Sequence, residues 1–266
     1  MKAMRHLLFI FLLFIGTKII AQNRFLTIES NTVAVDNVWI HDSIANGRPV
    51  FTATMDITLR EGPETKTVLT RLQSTLTDGK PVAAQLIAAN LNMDVTEERN
   101  YNGISVLEMI FSDLNGGDKS VARIRVKFRS SNMSVNYTSK KLSVGLSKSA
   151  TAVASNFRIS IPSKDTRRVA AINNIVIGNN SKQFFTLDLA ATDAKPWHDA
   201  LLKESGKTEQ AVIEWLSSNL KDVLFTVTIS DAEIVSYSSQ SSSNDNLRAF
   251  GKVTIGIKAR SILIAK

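Results

Sequence analysis

Residues 50–60 read VFTATMDITLR. Phe51, Ala53, Met55, Ile57 and Leu59 alternate with Thr52, Thr54, Asp56, Thr58 and Arg60. A period of two sends one set to a buried face and the other to solvent, which is the signature of a half-buried strand. The same alternation returns at 223–230, where Val223, Phe225, Val227 and Ile229 share a face, and at 252–258, where Val253, Ile255 and Ile257 do. Shorter cases are Phe157-Ile159-Ile161 and Phe185-Leu187-Leu189. The stretch 32–41 alternates with a phase slip at Asp36-Asn37, as a β-bulge would cause.

Turn chemistry punctuates these runs. Asn46-Gly47, Asp78-Gly79, Asn115-Gly116-Gly117 and Gly178-Asn179-Asn180 all supply residues that tolerate positive φ. Strands joined by such turns favour antiparallel sheets. The expected fold is therefore mainly β, with antiparallel sheets in a β-sandwich-like arrangement of one or two domains and a helical insertion near 196–221. That insertion starts at Pro196, divides at Gly206 and resumes at Thr208, a good N-cap. Val212, Trp215, Leu216 and Leu220 then follow at helical spacing. Residues 81–92, PVAAQLIAANLN, fit a helix or a strand. The polar run Ser238–Asn246 reads as an exposed loop between strands.

The N-terminus reads as a secretory signal. Lys2 and Arg5 precede the apolar run LLFIFLLFI at 7–15, and Ala21 offers a small residue for cleavage. A membrane span needs about 20 apolar residues, and Lys18 interrupts well short of that. The expected division is a signal peptide at 1–21, an N-terminal β domain at 22–145 and a C-terminal β domain with the helical insertion at 146–266. Residues 32–60 and 228–260 share a layout of short strand, polar loop and long amphipathic strand, which suggests a duplication. The chain has no cysteine, so disulfides, thiol chemistry and lipidation at a cleavage-site cysteine are excluded. Export without cysteine points to a periplasmic or secreted bacterial protein with no transmembrane span once the signal is removed.

The net charge of +8 is unevenly spread. Residues 22–117 carry 7 basic and 12 acidic side chains, residues 118–168 carry 12 and 2, and residues 169–266 carry 10 of each. At the centre of the basic stretch stands VARIRVKFR, 121–129. Arg123, Arg125, Lys127 and Arg129 alternate with Ala122, Ile124, Val126 and Phe128, so a strand would align four cations about 7 Å apart on one face. Lys140 and Lys141 follow. These six residues are the candidate anion-binding set. The plainer reading is a solvated strand face, balanced across the sheet by Glu97, Glu98 or Glu108, or an edge strand whose cations deter aggregation. Export argues against nucleic acid as partner, and so does the absence of interleaved exposed aromatics. Anionic envelope polymers, lipid headgroups or a partner protein are the expected partners.

No residue pattern names a reaction. His41 and His198 stand alone, without the paired spacing of a metal site. No G-x-S-x-G elbow, phosphate-binding loop, dinucleotide fingerprint or calcium loop is present, so no catalytic residue, metal or cofactor is expected. Ser218-Asn219-Leu220-Lys221 matches S-x-x-K at what would be the wrong end of a helix. Trp39, Trp197 and Trp215 are expected in the core. The functional expectation is an exported, non-enzymatic binding or structural protein. The alternatives are a carrier of lipid or apolar ligands, and a hydrolase whose site is assembled from distant residues.

Overall fold

A computed structural model describes residues 22–143, 149–178, 183–240 and 252–264. The signal segment, the turn at 179–180 and most of the serine-rich run therefore lie outside the described residues.

The chain begins with the alternating strands that the sequence requires. These are β1 (Asn23–Ile28), β2 (Asn31–Ala45) and β3 (Arg48–Thr58). Helix α1 (Pro63–Thr77) follows, then β4 (Val82–Ala89), β5 (Val95–Phe111), β6 (Leu114–Asn115), β7 (Arg123–Ser130) and β8 (Met133–Asn136). Each of β1, β2, β3 and β7 pairs antiparallel with the next in that list, β7 pairs β5, β5 pairs β4, and β4 pairs β1. The circuit is closed, so these six strands form a barrel. Its inward residues, among them Leu26, Ala53, Met55, Ile57, Ile124, Val126 and Phe128, fill it with no exposure to solvent. Opposite walls pack face to face, as the layers of a sandwich do.

The rest of the chain repeats this plan. It contains β9 (Phe157–Ser160), β10 (Val169–Asn173), β11 (Val176–Gly178), β12 (Gln183–Ala190), α2 (Lys195–Lys203), β13 (Glu209–Leu216), β14 (Val223–Gln240), β15 (Lys252–Ala259) and β16 (Ser261–Ile264). Here β9 stands for β1, β10 with β11 for β2, β12 for β3, β13 for β4, β14 for β5, β15 for β7 and β16 for β8. The registers agree in four of the pairings, while the bulge of β10 against β12 lies elsewhere than that of β2 against β3. Met55 faces Val126 as Leu187 faces Ile255. Leu86 faces Arg99 as Ile213 faces Val227, and Leu26 faces Leu86 as Ile159 faces Ile213. The two long strands β5 and β14 each pair a short return strand along their first half. The strand plan is thus repeated, but its halves are not the ones suggested by layout: 32–60 matches β10–β12, and 228–260 matches β5–β7.

The copies differ at one seam. In the first, Glu29 and Ser30 at positive φ join β1 directly to β2. In the second, residues 161–168 separate β9 from β10, and β6 of the first copy pairs β10 instead. Phe111 N donates to Ile175 O, and Gly116 N donates to Ala170 O. Residues 108–115 and 171–178 therefore run as one antiparallel ladder between the copies. Phe111 stacks on Trp215 at 5.5 Å, and Trp215 meets Phe225 edge-on at 5.5 Å. One hydrophobic core spans both copies.

The structure shortens the helical insertion, resolves 82–89 and adds a helix. The helical insertion covers only Lys195–Lys203, and 209–216 is strand β13. The helix closes at Glu204, whose N–H donates to Ala200 O, and Gly206, at φ 82°, turns the chain toward β13. Ala211, Ile213 and Trp215 then face the core with a period of two, and pairing on both edges, with β9 and β14, overrides the helical spacing of Val212, Trp215, Leu216 and Leu220. Residues 82–89 are strand β4. Helix α1 was not anticipated. Pro63 opens it, Glu64 sits in its first turn, and Val68, Leu69 and Leu72 are buried at helical spacing. Its buried Gln73 behaves like a strand residue, donating to Ile262 O at 2.6 Å and accepting from Ile264 N at 2.8 Å. Ser218–Lys221 lies in a turn, not on a helix.

Replacing Trp215 by Ala empties the contact between the copies. A fully buried Trp truncated to Ala costs about 3–5 kcal/mol. Because Phe111 and Trp215 belong to different copies, the wild type and the variant should each unfold in one transition, with the variant's midpoint shifted down. Urea titration followed by both fluorescence and far-UV circular dichroism checks this, and two separated transitions in the wild type would show independent copies.

Candidate anion-binding face

Strand β7 places Arg123, Arg125, Lys127 and Arg129 outward because Ile124, Val126 and Phe128 fill the barrel. It is not an edge strand: β3 flanks it on one side and β5 on the other. Its outward residues therefore lie on the barrel wall among Thr52, Thr54, Asp56 and Thr58 of β3, with Trp39 and His41 of β2 one strand further on.

The four cations are not equivalent. Arg125 makes a two-pronged pair with Asp56, Nε at 2.8 Å and Nη2 at 3.2 Å. Asp56 also accepts from Asn37 Nδ2 at 2.8 Å, which the positive φ of Asn37 in the β2 bulge brings within reach. Burial pushes the Asp56 carboxyl up, but the hydrogen bonds from Arg125 and Asn37, with the charges of Arg125 and Arg123, outweigh it and hold the group below its ordinary value. The Arg125 guanidinium also lies over the Trp39 ring, 5.4 Å from its centroid. Arg123 reaches Asp36 only at 3.9 Å, with both side chains exposed, a contact that water and salt screen. Lys127 and Arg129 have no carboxylate partner among the described residues. The balancing acids thus come from β2 and β3, not from Glu97, Glu98 or Glu108. Glu97 pairs Arg99, Glu98 pairs Lys140 at 2.6 Å, and Glu108 lies opposite Lys127 in register but forms no ion pair among the described residues.

Lys140 and Lys141 are apart from this row. Lys141 pairs Asp94 at 2.7 Å and donates to Asn92 O at 2.9 Å. Both lysines sit beside the beginning of β5, whereas β7 pairs its far half. The structure therefore brings four of the six candidates together and leaves two of those four without a counter-charge.

The second copy separates what the fold needs from what this face adds. Asp188 takes the place of Asp56, is buried like it, and accepts from Asn173 at 3.0 Å, Thr254 at 2.8 Å and Lys252 at 2.8 Å. Burial again opposes ionisation, and these donors again hold the carboxyl low. On β15, Lys252, Thr254, Gly256 and Lys258 stand where β7 has its four cations. A side chain at Gly256 would collide with Ser236 Oγ and the Phe184 ring. The buried Asp belongs to the fold, and the full cation row belongs to the first copy alone.

Trp197 and Trp215 are in the core as expected, but Trp39 is 53% exposed. Its alternation in 32–41 pointed to the core, and the bulge at Asp36-Asn37 turns it outward. It is the exposed aromatic that sequence reading did not find beside the basic row. His41 is exposed next to Thr52, and exposed His198 rests edge-on against Tyr237 at 4.8 Å. Among the described residues neither imidazole is hydrogen-bonded to a Ser, Thr or carboxylate, and no group of three His, Cys, Asp or Glu is placed to hold a metal.

No protein-family model and no curated protein matches the chain. Among solved structures, it is similar to "Structure of Hcp1 from Flavobacterium johnsoniae". That likeness has 13% sequence identity and a TM-score of 0.27, and it covers 44% of this chain and 88% of the other.

Asp56 and Asp188 set an acid limit on stability. Both carboxyls are held below their ordinary value of 3.8 in the folded state. Their contribution is complete above about pH 4 and is lost as the pH falls through the lower folded values. Asp56→Asn should lower stability at pH 7 by about 1–2 kcal/mol, because Arg125 loses a charge-assisted pair while remaining half in water. The difference from wild type should shrink as the pH is lowered to 2. Urea midpoints measured at pH 7, 4, 3 and 2 check the sign.

Proposed function

We propose that this chain is an exported, non-enzymatic binding or structural protein of a bacterial envelope, and that it engages an anionic polymer or lipid surface through the outer wall of its first barrel. One observation carries the reading: among the described residues Lys127 and Arg129 stand side by side without carboxylate partners, on the same wall as the exposed Trp39. Two cations about 7 Å apart on a rigid strand suit a row of phosphates or carboxylates. An indole beside them suits the interface between headgroups and water, or a sugar face. Asp56 and Asn37 hold Arg125 against Trp39, which keeps the wall ordered before anything binds.

The signal-like segment at 1–21 supports export, and among the described residues no helix is long and apolar enough to cross a membrane. The side-chain-filled barrel interior favours a surface reading over a carrier of apolar ligands. An open groove of about 790 Å³ runs along α1, where Lys66, Thr70 and Arg71 border a surface that is mostly apolar and includes Leu263 and Ile264.

Vesicles of phosphatidylcholine with and without phosphatidylglycerol, and purified anionic envelope polymer, provide the test. Binding should need the anionic component and weaken between 50 and 300 mM salt, as the Debye length shrinks from about 14 to about 6 Å. Each cation near an anionic surface contributes about 1 kcal/mol, so Lys127→Ala/Arg129→Ala should weaken binding about 30-fold. Arg123→Ala, a partly paired control, should do much less. Equal binding by wild type and the double variant would reduce this wall to ordinary solvated surface.

A further inference from the structure

The ladder between the two copies uses one edge from each. The first copy contributes β5, whose far half has β7 on one side and a free edge on the other. The second contributes β11, the continuation of β10 beyond positive-φ Asn174. Val176 faces Ile110, Ile177 faces Met109, and Gly178 faces Glu108. This contact is heterologous, because two different surfaces meet. A duplicated chain that forms one such contact internally leaves the complementary pair of surfaces at its two ends.

Both backbone edges lack a strand partner among the described residues, although the Tyr237 ring itself meets His198 of α2. Taking the positive-φ Asn37 as the counterpart of the positive-φ Asn174, Trp39, Ile40 and His41 on β2 stand in the place of Val176–Gly178; the bulge falls two residues earlier against β3, so Trp39 faces Thr54 where Asn173 faces Thr186. Trp39, Ile40 and His41 pair β3 alone, since β1 reaches only to Val35. The two-residue turn Asn46-Gly47, both at positive φ, makes Ala45 and Arg48 a hydrogen-bonded pair. Alternation along the ladder then directs the N–H and C=O of Ile40 away from β3. Ile177, its equivalent, is in the same phase as Ile175, whose carbonyl accepts from Phe111. At the other end, the equivalents of Glu108–Ile110 are Ser236, Tyr237 and Ser238 on β14. They pair β15, and no described strand pairs their other edge.

We infer that Trp39–His41 of one molecule adds as a strand to Ser236–Ser238 of a second copy of this chain, with Ile40 opposite Tyr237. The assembly is head-to-tail and repeats the geometry already present between the two halves of each molecule. It uses backbone edges rather than Lys127 or Arg129, so it stands or falls separately from the anion-binding reading. Phe111, which stacks on Trp215 in the internal contact, is replaced at the free end by Ser239. The contact between molecules therefore buries less apolar surface and is weaker than the internal one.

The chain lacks cysteine, which gives a clean test by cross-linking. Directly opposed residues of an antiparallel pair have Cα atoms about 5.5 Å apart, within disulfide range. Full-chain protein is purified as Ile40→Cys and as Tyr237→Cys, and the two are mixed under mild oxidation. A disulfide-linked dimer should form in the mixture and not from either variant alone. Sedimentation velocity of the wild type should show mass rising with concentration. Ile40→Pro should abolish that rise without changing the thermal midpoint by more than a few degrees, because its lost N–H faces the free edge. No cross-link in the mixture, as when another segment or partner covers the β14 edge, overturns the inference. So do like-with-like dimers as abundant as the mixed one, which would mean two-fold pairing.

Discussion

The ladder between residues 108–115 and 171–178 is the contact on which the molecule is organised. The second copy lacks the direct β1–β2 type of hairpin, so the outer edge of its β10 has no partner of its own. Buried backbone groups left unpaired cost about as much as a lost hydrogen bond each. The first copy fills that place with the end of β5 and with β6, and Phe111 and Leu114 enter the shared core with them. Gln73 adds a second tie, satisfying the backbone of β16 from a helix of the other copy. The halves are two by descent of pattern and one by packing.

The buried carboxylates follow from the same architecture. Asp56 and Asp188 occupy the equivalent position on β3 and β12, and each faces the outer strand that closes its sheet. A carboxylate there is tolerable only with several donors. Each has an Asn from the preceding strand and donors from the following one, though the donors themselves differ: Arg125 in one copy, Thr254 with Lys252 in the other. What recurs is the requirement for satisfaction, not the particular side chain. Where the copies diverge, at Lys127 and Arg129 against Gly256 and Lys258, the requirement has lapsed and the surface has been free to take another role.

Much of the candidate face could be read in advance. Alternation in 121–129 already separated Arg123, Arg125, Lys127 and Arg129 from Ile124, Val126 and Phe128, because a strand has no other way to place them. The pairing of Arg125 with Asp56 could not be read, since the two are far apart in sequence and register depends on the closing of the barrel. Trp39 was hidden by a local event. One bulge moves every later residue of β2 to the opposite face, so a residue counted inward by alternation lies outward. A motif search would also miss the duplication, because the copies share register and burial but few identical residues.

What the sequence by itself determined is the set of things governed by neighbours along the chain: alternating strands, their turns, the charge row, the absence of thiol chemistry and the signal-like start. Tertiary structure decided the rest. It made 209–216 a strand despite helical spacing, because β9 and β14 offer hydrogen bonds on both sides. It placed β7 inside a closed wall, paired three of the six candidate cations closely with carboxylates, and joined a closed barrel to a second, open sheet through an edge that the second could not satisfy alone. Period and propensity act over a few residues, whereas closure, register and the sharing of a core depend on segments a hundred residues apart meeting at contact distance.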